Sequence, residues 1–143
     1  MKVEFRAASI GNGVNYTTLA NEGAPTLAEK ISGFQPAMTL SPDEQPGFGS
    51  AGIAVYDNAN QKWKVTFIIE RVHASPDAAE AFKSAEAARI GAIGNLDLKI
   101  TTGATVNYLP AAATVEFTPD PQSDQSSKIR YAFIGGQYTP NAP

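Results

Sequence analysis

Cysteine is absent from this chain of 143 residues, and histidine occurs once. The first absence removes disulfides, thiolate metal sites and thiol nucleophiles together, and it leaves the redox compartment open, since a cysteine-free fold works in reducing and oxidising surroundings alike. The second leaves His73 without a second imidazole, so a metal site built on it would need carboxylates for its remaining ligands. Charge is sparse too. Asp, Glu, Lys and Arg make up 17% of the chain, against roughly 25% in ordinary globular proteins, which predicts a surface partly covered by partners. The 11 basic residues are spread along the whole chain and the net charge is -3, whereas phosphate recognition needs a clustered basic face, so no nucleic-acid partner is expected. No run approaches the roughly 18 apolar residues of a membrane span. No signal-like hydrophobic region precedes the first strand pattern. These absences predict a soluble chain with neither membrane span nor signal peptide.

What is present suits one core. The hydrophobic fraction is 43%, and chains of about 100–150 residues usually organise around a single core. Residues 1–136 are expected to form one α+β domain. Residues 137–143, with Pro140 and Pro143, are expected to form an extended or disordered tail. At the start, Val3, Phe5 and Ala7 alternate with Lys2, Glu4 and Arg6, a strand. Residues 10–50 are dense in glycine and proline and read as short strands joined by long turns. Within them Thr26 and Glu29 have capping-box spacing for a brief helix to Ile31, and Ser41 to Gly52 is a candidate mobile loop.

From Gly52 the pattern sharpens. Ile53 and Val55 lead into the turn residues Asp57 to Asn60, and then Trp63, Val65, Phe67 and Ile69 face one side while Lys62, Lys64, Thr66 and Glu70 face the other, which predicts a hairpin. Ser75-Pro76-Asp77 is a helix start: a capping hydroxyl, a proline suited to the first position, and a carboxylate at the positive end of the dipole. Ala78, Ala81, Phe82, Ala85 and Ala88 form the expected apolar stripe, with Glu80, Lys83, Ser84 and Glu86 outside. Gly91 and Gly94 end it. Leu96, Leu98 and Ile100 alternate in the next strand, Val106 with Tyr108 and Val115 with Phe117 mark two more, and Ile129, Tyr131 and Phe133 the last. The polar stretch from Pro119 to Ser127 is a loop. The fold predicted is α+β: a mostly antiparallel β-sheet or small β-sandwich with one main helix, about 76–90, packed on it.

None of the chemical motifs survives its context. Gly47 to Gly52 spells G-x-G-x-x-G, but a phosphate cradle needs a strand before it and a helix after it, and here a proline-rich loop precedes and a strand follows. His73, Ser75 and Asp77 contain the residue types of a triad, yet Ser75 and Asp77 are used by the helix start, and an imidazole beside that cap is expected to bond nearby backbone. Asp43-Glu44 and Asp120 with Asp124 lack calcium-loop spacing and read as solvated acids. Asn15-Tyr16-Thr17 matches a glycosylation acceptor that matters only in a secreted eukaryotic chain. No catalytic, cofactor-binding or metal-binding residue is predicted, no cofactor is expected, and an enzyme is the third reading after two others.

The stretch Glu70-Arg71-Val72-His73-Ala74-Ser75-Pro76-Asp77-Ala78-Ala79-Glu80-Ala81-Phe82, followed by Gly94-Asn95-Leu96-Asp97-Leu98 and later by Arg130 to Gly136, resembles small structural proteins of tailed bacteriophages and prophages. The resemblance covers about half the chain and its motifs are structural. It implies a non-enzymatic tail or connector component, located in the virion or in the host cytoplasm before assembly. Its implied partners are further copies of itself, as a homo-oligomer, and other virion proteins. Read from the residues, two functions stand side by side. One is a structural subunit that associates through strand edges and loops, its polar sheet face bearing Lys62, Lys64, Lys128 and Arg130, with Ser41 to Gly52 and the tail from Gln137 reaching to neighbours. The other is a small-molecule or glycan binding module using Phe48, Tyr56, Trp63 or Tyr108.

Overall fold

A computed structural model describes residues 1–8, 15–23, 29–40, 43–45, 55–57, 61–121 and 124–143. Nine strands and one helix appear among them: β1 (Lys2–Ala7), β2 (Thr17–Asn21), β3 (Glu29–Leu40), β4 (Asp43–Gln45), β5 (Val55–Asp57), β6 (Gln61–Val72), α1 (Pro76–Gly91), β7 (Leu96–Thr102), β8 (Thr105–Pro119) and β9 (Ser126–Gly135). Seven strands form one sheet in the order β2-β1-β7-β8-β9-β6-β3, and every pairing in it is antiparallel. The chain is therefore mostly antiparallel β with one helix among the described residues, an α+β fold. The predicted mobile loop from Ser41 to Gly52 lies outside the described residues except for β4.

The strongest alternations become the central strands. Val65, Phe67 and Ile69 of β6, Leu96, Leu98 and Ile100 of β7, and Ile129, Tyr131 and Phe133 of β9 are all buried, joined by Val3 and Phe5 of β1 and Leu109 of β8. Phe67 stacks on Tyr131 with ring centroids 5.4 Å apart, and Phe117 meets Tyr131 edge-on at the same separation. Period two continued one step beyond Ile69 puts Arg71 inside as well, at 2% exposure.

Several expectations give way to tertiary context. Glu29, Lys30 and Ile31 are strand, not helix, with Ile31 opposite Ile69; the rest of that predicted helix, residues 26–28, lies outside the described residues. β6 does not form a hairpin with the segment before it, because both its edges are taken, by β3 on one side and β9 on the other. The segment before β6 pairs elsewhere: β5 and β4 form a separate two-stranded antiparallel sheet, with Asp43 opposite Asp57 and Gln45 opposite Val55. Pro36 sits inside β3, which among the described residues has a ladder on one side only. A register shift between Ser32 and Gln35, with Gly33 at φ 62°, moves the apolar face from Ile31 to Pro36, Met38 and Leu40.

The two strands read around Pro110 are one. β8 pairs with β7 through Ala112 and with β9 from Ala113 onward, so it belongs to both halves of the sheet. At the changeover Ala111 adopts φ 50°. Asp97, buried on β7, holds this kink: its Oδ1 accepts the Ala111 N–H at 2.9 Å and its Oδ2 accepts from Arg6 Nε at 3.1 Å.

The helix starts as its cap predicts, with the Ala78 N–H donating to Ser75 Oγ at 3.1 Å. Its buried face, however, is Ala79, Lys83, Glu86 and Ile90, with Phe82 half-buried, while Ala81, Ala85 and Ala88 are exposed. The predicted stripe is thus rotated by about one residue, roughly 100°. Alanine lies on every side of this helix and weakly marks any of them. The polar residues inside have partners: Lys83 Nζ donates to the Asp120 carbonyl and to Glu80, each at 2.9 Å, and Glu86 accepts from the Tyr131 hydroxyl at 3.2 Å and pairs with Arg89.

β2 and β3 stand at opposite ends of the strand order yet run close together, so the sheet curls round its core. Side chains bridge this seam where no ladder is recorded among the described residues. The Asn21 N–H donates to Glu29 Oε2 at 2.7 Å, the Ile31 N–H donates to Glu22 Oε1 at 3.0 Å, and Arg71 donates to the Leu19 carbonyl while its Nε faces Glu29 Oε1 at 3.4 Å. Residues 137–143 lie on their own chain: Tyr108 and Thr139 exchange backbone hydrogen bonds of 2.7 and 3.0 Å, and Tyr138 packs on Trp63 with centroids 5.4 Å apart.

Candidate functional site

The residues with triad chemistry are not brought together. Ser75 caps the helix and Asp77 lies in its first turn. The His73 ring instead approaches Ser127 Oγ, with Nε2 at 2.7 Å, a side-chain partner 54 residues away rather than the local backbone expected. Burial, with Arg71 and Lys83 nearby, lowers the His73 pKa from its ordinary value. Asp120 and Asp124 do not form a pair either: the Asp120 carbonyl receives Lys83, and Asp124 Oδ1 accepts the Ser126 N–H at 2.9 Å. Among the described residues no group of three or more His, Asp or Glu side chains is gathered to hold a metal ion. No helix among them is long and apolar enough to cross a membrane.

Two of the aromatic residues named for ligand binding, Trp63 and Tyr108, have aromatic neighbours of their own chain. Trp63 is covered by Tyr138, Tyr108 lies beside Tyr16 with centroids 6.3 Å apart, and Phe48 falls outside the described residues. A groove of about 410 Å³ runs between the last turns of α1 and the outer edge of β8, with Ile90, Ile93, Val115 and Phe117 in its walls. Neither Trp63 nor Tyr108 lines it. Its walls combine this apolar surface with the Thr114 and Glu116 side chains.

Exposed apolar surface at a strand edge is the feature that stands out. After the shift at Gly33, the core-facing side of β3 runs Pro36, Met38, Leu40, opposite Val65, Trp63 and Gln61. Val65 is fully buried, but Met38 and Leu40 are 45% and 41% exposed. The hairpin thus carries its apolar face past the end of the core. Among the described residues β3 has β6 as its one ladder partner, and none of them pairs with its other edge along Gln35 to Leu40. The opposite face of the same sheet carries Lys62, Lys64, Lys128 and Arg130 together, as their cross-strand positions against Ile134, Glu70 and Ile68 require. Sequence alternation exposed that basic face; the exposed apolar one was hidden by Gly33 and Pro36, which break the alternation of β3.

No known family model matches the chain, and no curated protein matches it. Solved structures do. The fold resembles a chain in the structure of the phage p2 baseplate in its activated conformation with Sr, at a TM-score of 0.51 and 14% sequence identity over 91% of this chain and 43% of that one. A second structure of the phage P2 baseplate in its activated conformation, with Ca, gives a TM-score of 0.50 and 15% identity over 92% of this chain and 44% of the other. The chain spans less than half the length of the chains it matches.

Proposed function

We propose that this protein is a non-enzymatic structural subunit of a tailed-phage or prophage virion, at its tail or baseplate, that associates with copies of itself and with other virion proteins. The observation that carries the reading is the distal half of the β3–β6 hairpin, an apolar face continuous with the core yet exposed at Met38 and Leu40, beside an open strand edge. An edge of this kind is completed by a strand from another chain, backbone bonds supplying affinity and the alternate side chains supplying register. Head-to-tail contacts between copies close into a ring when the rotation permits. The likeness in fold to chains of a phage baseplate supports placing such a subunit in a virion. Residues 1–136 act in this reading as one unit, and the hairpin, rather than the tail, makes the contact, since Tyr138 and Thr139 are occupied by Trp63 and Tyr108 of the same chain.

Sedimentation over a wide concentration range tests this. Association is expected for the native chain and its loss for a Met38→Lys, Leu40→Lys double variant that keeps its circular dichroism and thermal transition. A native chain that is monomeric at every concentration would overturn the self-association.

A further inference from the structure

His73 stands where β6 gives way to α1, and three elements close on its ring. Ser127, at the start of β9, presents its hydroxyl 2.7 Å from Nε2. Phe82, on α1, lies with its ring centroid 4.9 Å from the imidazole. Gln125, in the turn before β9, accepts the His73 backbone N–H at 2.7 Å. The charged groups acting on the ring are both cations: Arg71 from its own strand and Lys83 from the helix. Neighbouring carboxylates are committed elsewhere, Glu29 to Arg71, Glu80 to Lys83, Glu86 to Arg89 and the Tyr131 hydroxyl, and Asp124 to the Ser126 N–H.

We propose that His73 is an acid-sensitive latch for the first turns of α1: neutral, its ring bridges Phe82 and Ser127, and protonated it sets a third cation beside Arg71 and Lys83 and loosens the helix from the sheet. The bond to Ser127 does not oppose protonation, because a hydroxyl can accept from an imidazolium. The opposition is electrostatic. An aromatic face attracts a cation, but the Phe82 ring already carries the Arg71 guanidinium, 4.7 Å from its centroid. Burial and the two cations together lower the His73 pKa. A histidine held below its ordinary value contributes stability that is fully present above about pH 6.5 and is lost as pH falls from there toward the folded value. Release of the helix start would uncover Phe82, which packs against the core, offering acid-dependent apolar surface distinct from the hairpin face.

The intact chain reports this directly by NMR, since one histidine gives one imidazole titration. The expected midpoint lies below the ordinary value of about 6.5, with amides of Ala78 to Lys83 shifting on the same midpoint. Between about pH 7 and about pH 5 the thermal midpoint should fall further for the native chain than for His73→Gln. An imidazole midpoint at or above the ordinary value, or a His73→Gln chain with an unchanged pH slope, would overturn the latch. If that variant does not fold, the titration of the native chain decides alone.

Discussion

The guanidinium carbon of Arg71 lies 4.7 Å from the centroid of the Phe82 ring. Through this contact and its bonds to the Leu19 carbonyl and Glu29, one buried side chain ties β6 to α1, β2 and β3. Arg71→Met keeps the apolar stem but leaves Glu29 without its cation and the Leu19 carbonyl without its donor. Removing one partner of a buried pair typically costs about 3–5 kcal/mol, and a loss of about 3 kcal/mol is expected in urea unfolding. An Arg71→Met, Glu29→Gln double variant should recover part of it. Equal stability of parent and single variant would show that the seam does not depend on this residue.

Gly135 allows β9 to pass Leu109 at close range. A Cβ added there would stand 2.9 Å from Leu109 Cγ and 3.3 Å from the Pro110 carbonyl oxygen. Gly135→Ala is expected to destabilise by about 1–3 kcal/mol, the usual range for overpacking. Because the clash is with one side chain and one carbonyl, the same change should cost less in a Leu109→Ala background. A double-mutant cycle by chemical denaturation measures that coupling. Additive effects would mean that Leu109 is not the obstacle.

Ala111 is the described non-glycine residue with positive φ, at 50°. A Cβ in the left-handed region costs roughly 1–2 kcal/mol, offset in part by the greater freedom that glycine loses on folding, roughly 0.5–1 kcal/mol. Ala111→Gly should therefore raise stability by up to about 1 kcal/mol, seen as a higher thermal midpoint. Asp97→Ala should act in the opposite direction, since it leaves the Ala111 N–H and Arg6 without their shared acceptor. A drop in stability for Ala111→Gly would contradict the strain argument.

Burial first, and then the Glu86 charge, push the Tyr131 phenol well above its ordinary pKa. An acid whose folded pKa is raised contributes stability that is intact below the unfolded value, about 10, and that is lost as pH rises above it. Alkaline unfolding is expected to begin above about pH 10, with a late step of tyrosinate absorbance coinciding with loss of structure. Tyr131→Phe should flatten that alkaline slope. Tyrosinate formation complete before any unfolding would overturn the expectation.

Much of the sheet was legible because its strands bury one face. Trp63 to Ile69, Leu96 to Ile100 and Ile129 to Phe133 alternate, and each became a central strand with its apolar residues inside, Trp63 only partly. The helix start was equally plain, since Ser75, Pro76 and Asp77 act within a single turn. The face of the helix was not, because an alanine-rich segment tells little about which side is buried, and the residues that decide it, Lys83 and Glu86, are polar groups satisfied by Asp120, just after β8, and Tyr131 of β9. β3 was hidden for a different reason: Gly33 and Pro36 look like punctuation, and a strand with one free edge and a shifted register tolerates both. The exposed apolar face at Met38 and Leu40 depended on that strand and so was missed with it. The pairing of His73 with Ser127 depends on β6 and β9 becoming neighbours, which local patterns do not encode.

The curled sheet has two unlike joins between its halves. On one side the halves share β8, so that join is the covalent backbone of a single strand; on the other, β2 meets β3 through side-chain bridges such as Glu29 to Asn21 and Glu22 to Ile31. Tension applied across the two halves is therefore carried unequally. The side-chain seam would part first, while β8 and the chain that runs from β2 to β3 keep the halves connected as the curl opens. Under mechanical load the sheet would yield along β2 and β3 and re-close there when the load is removed.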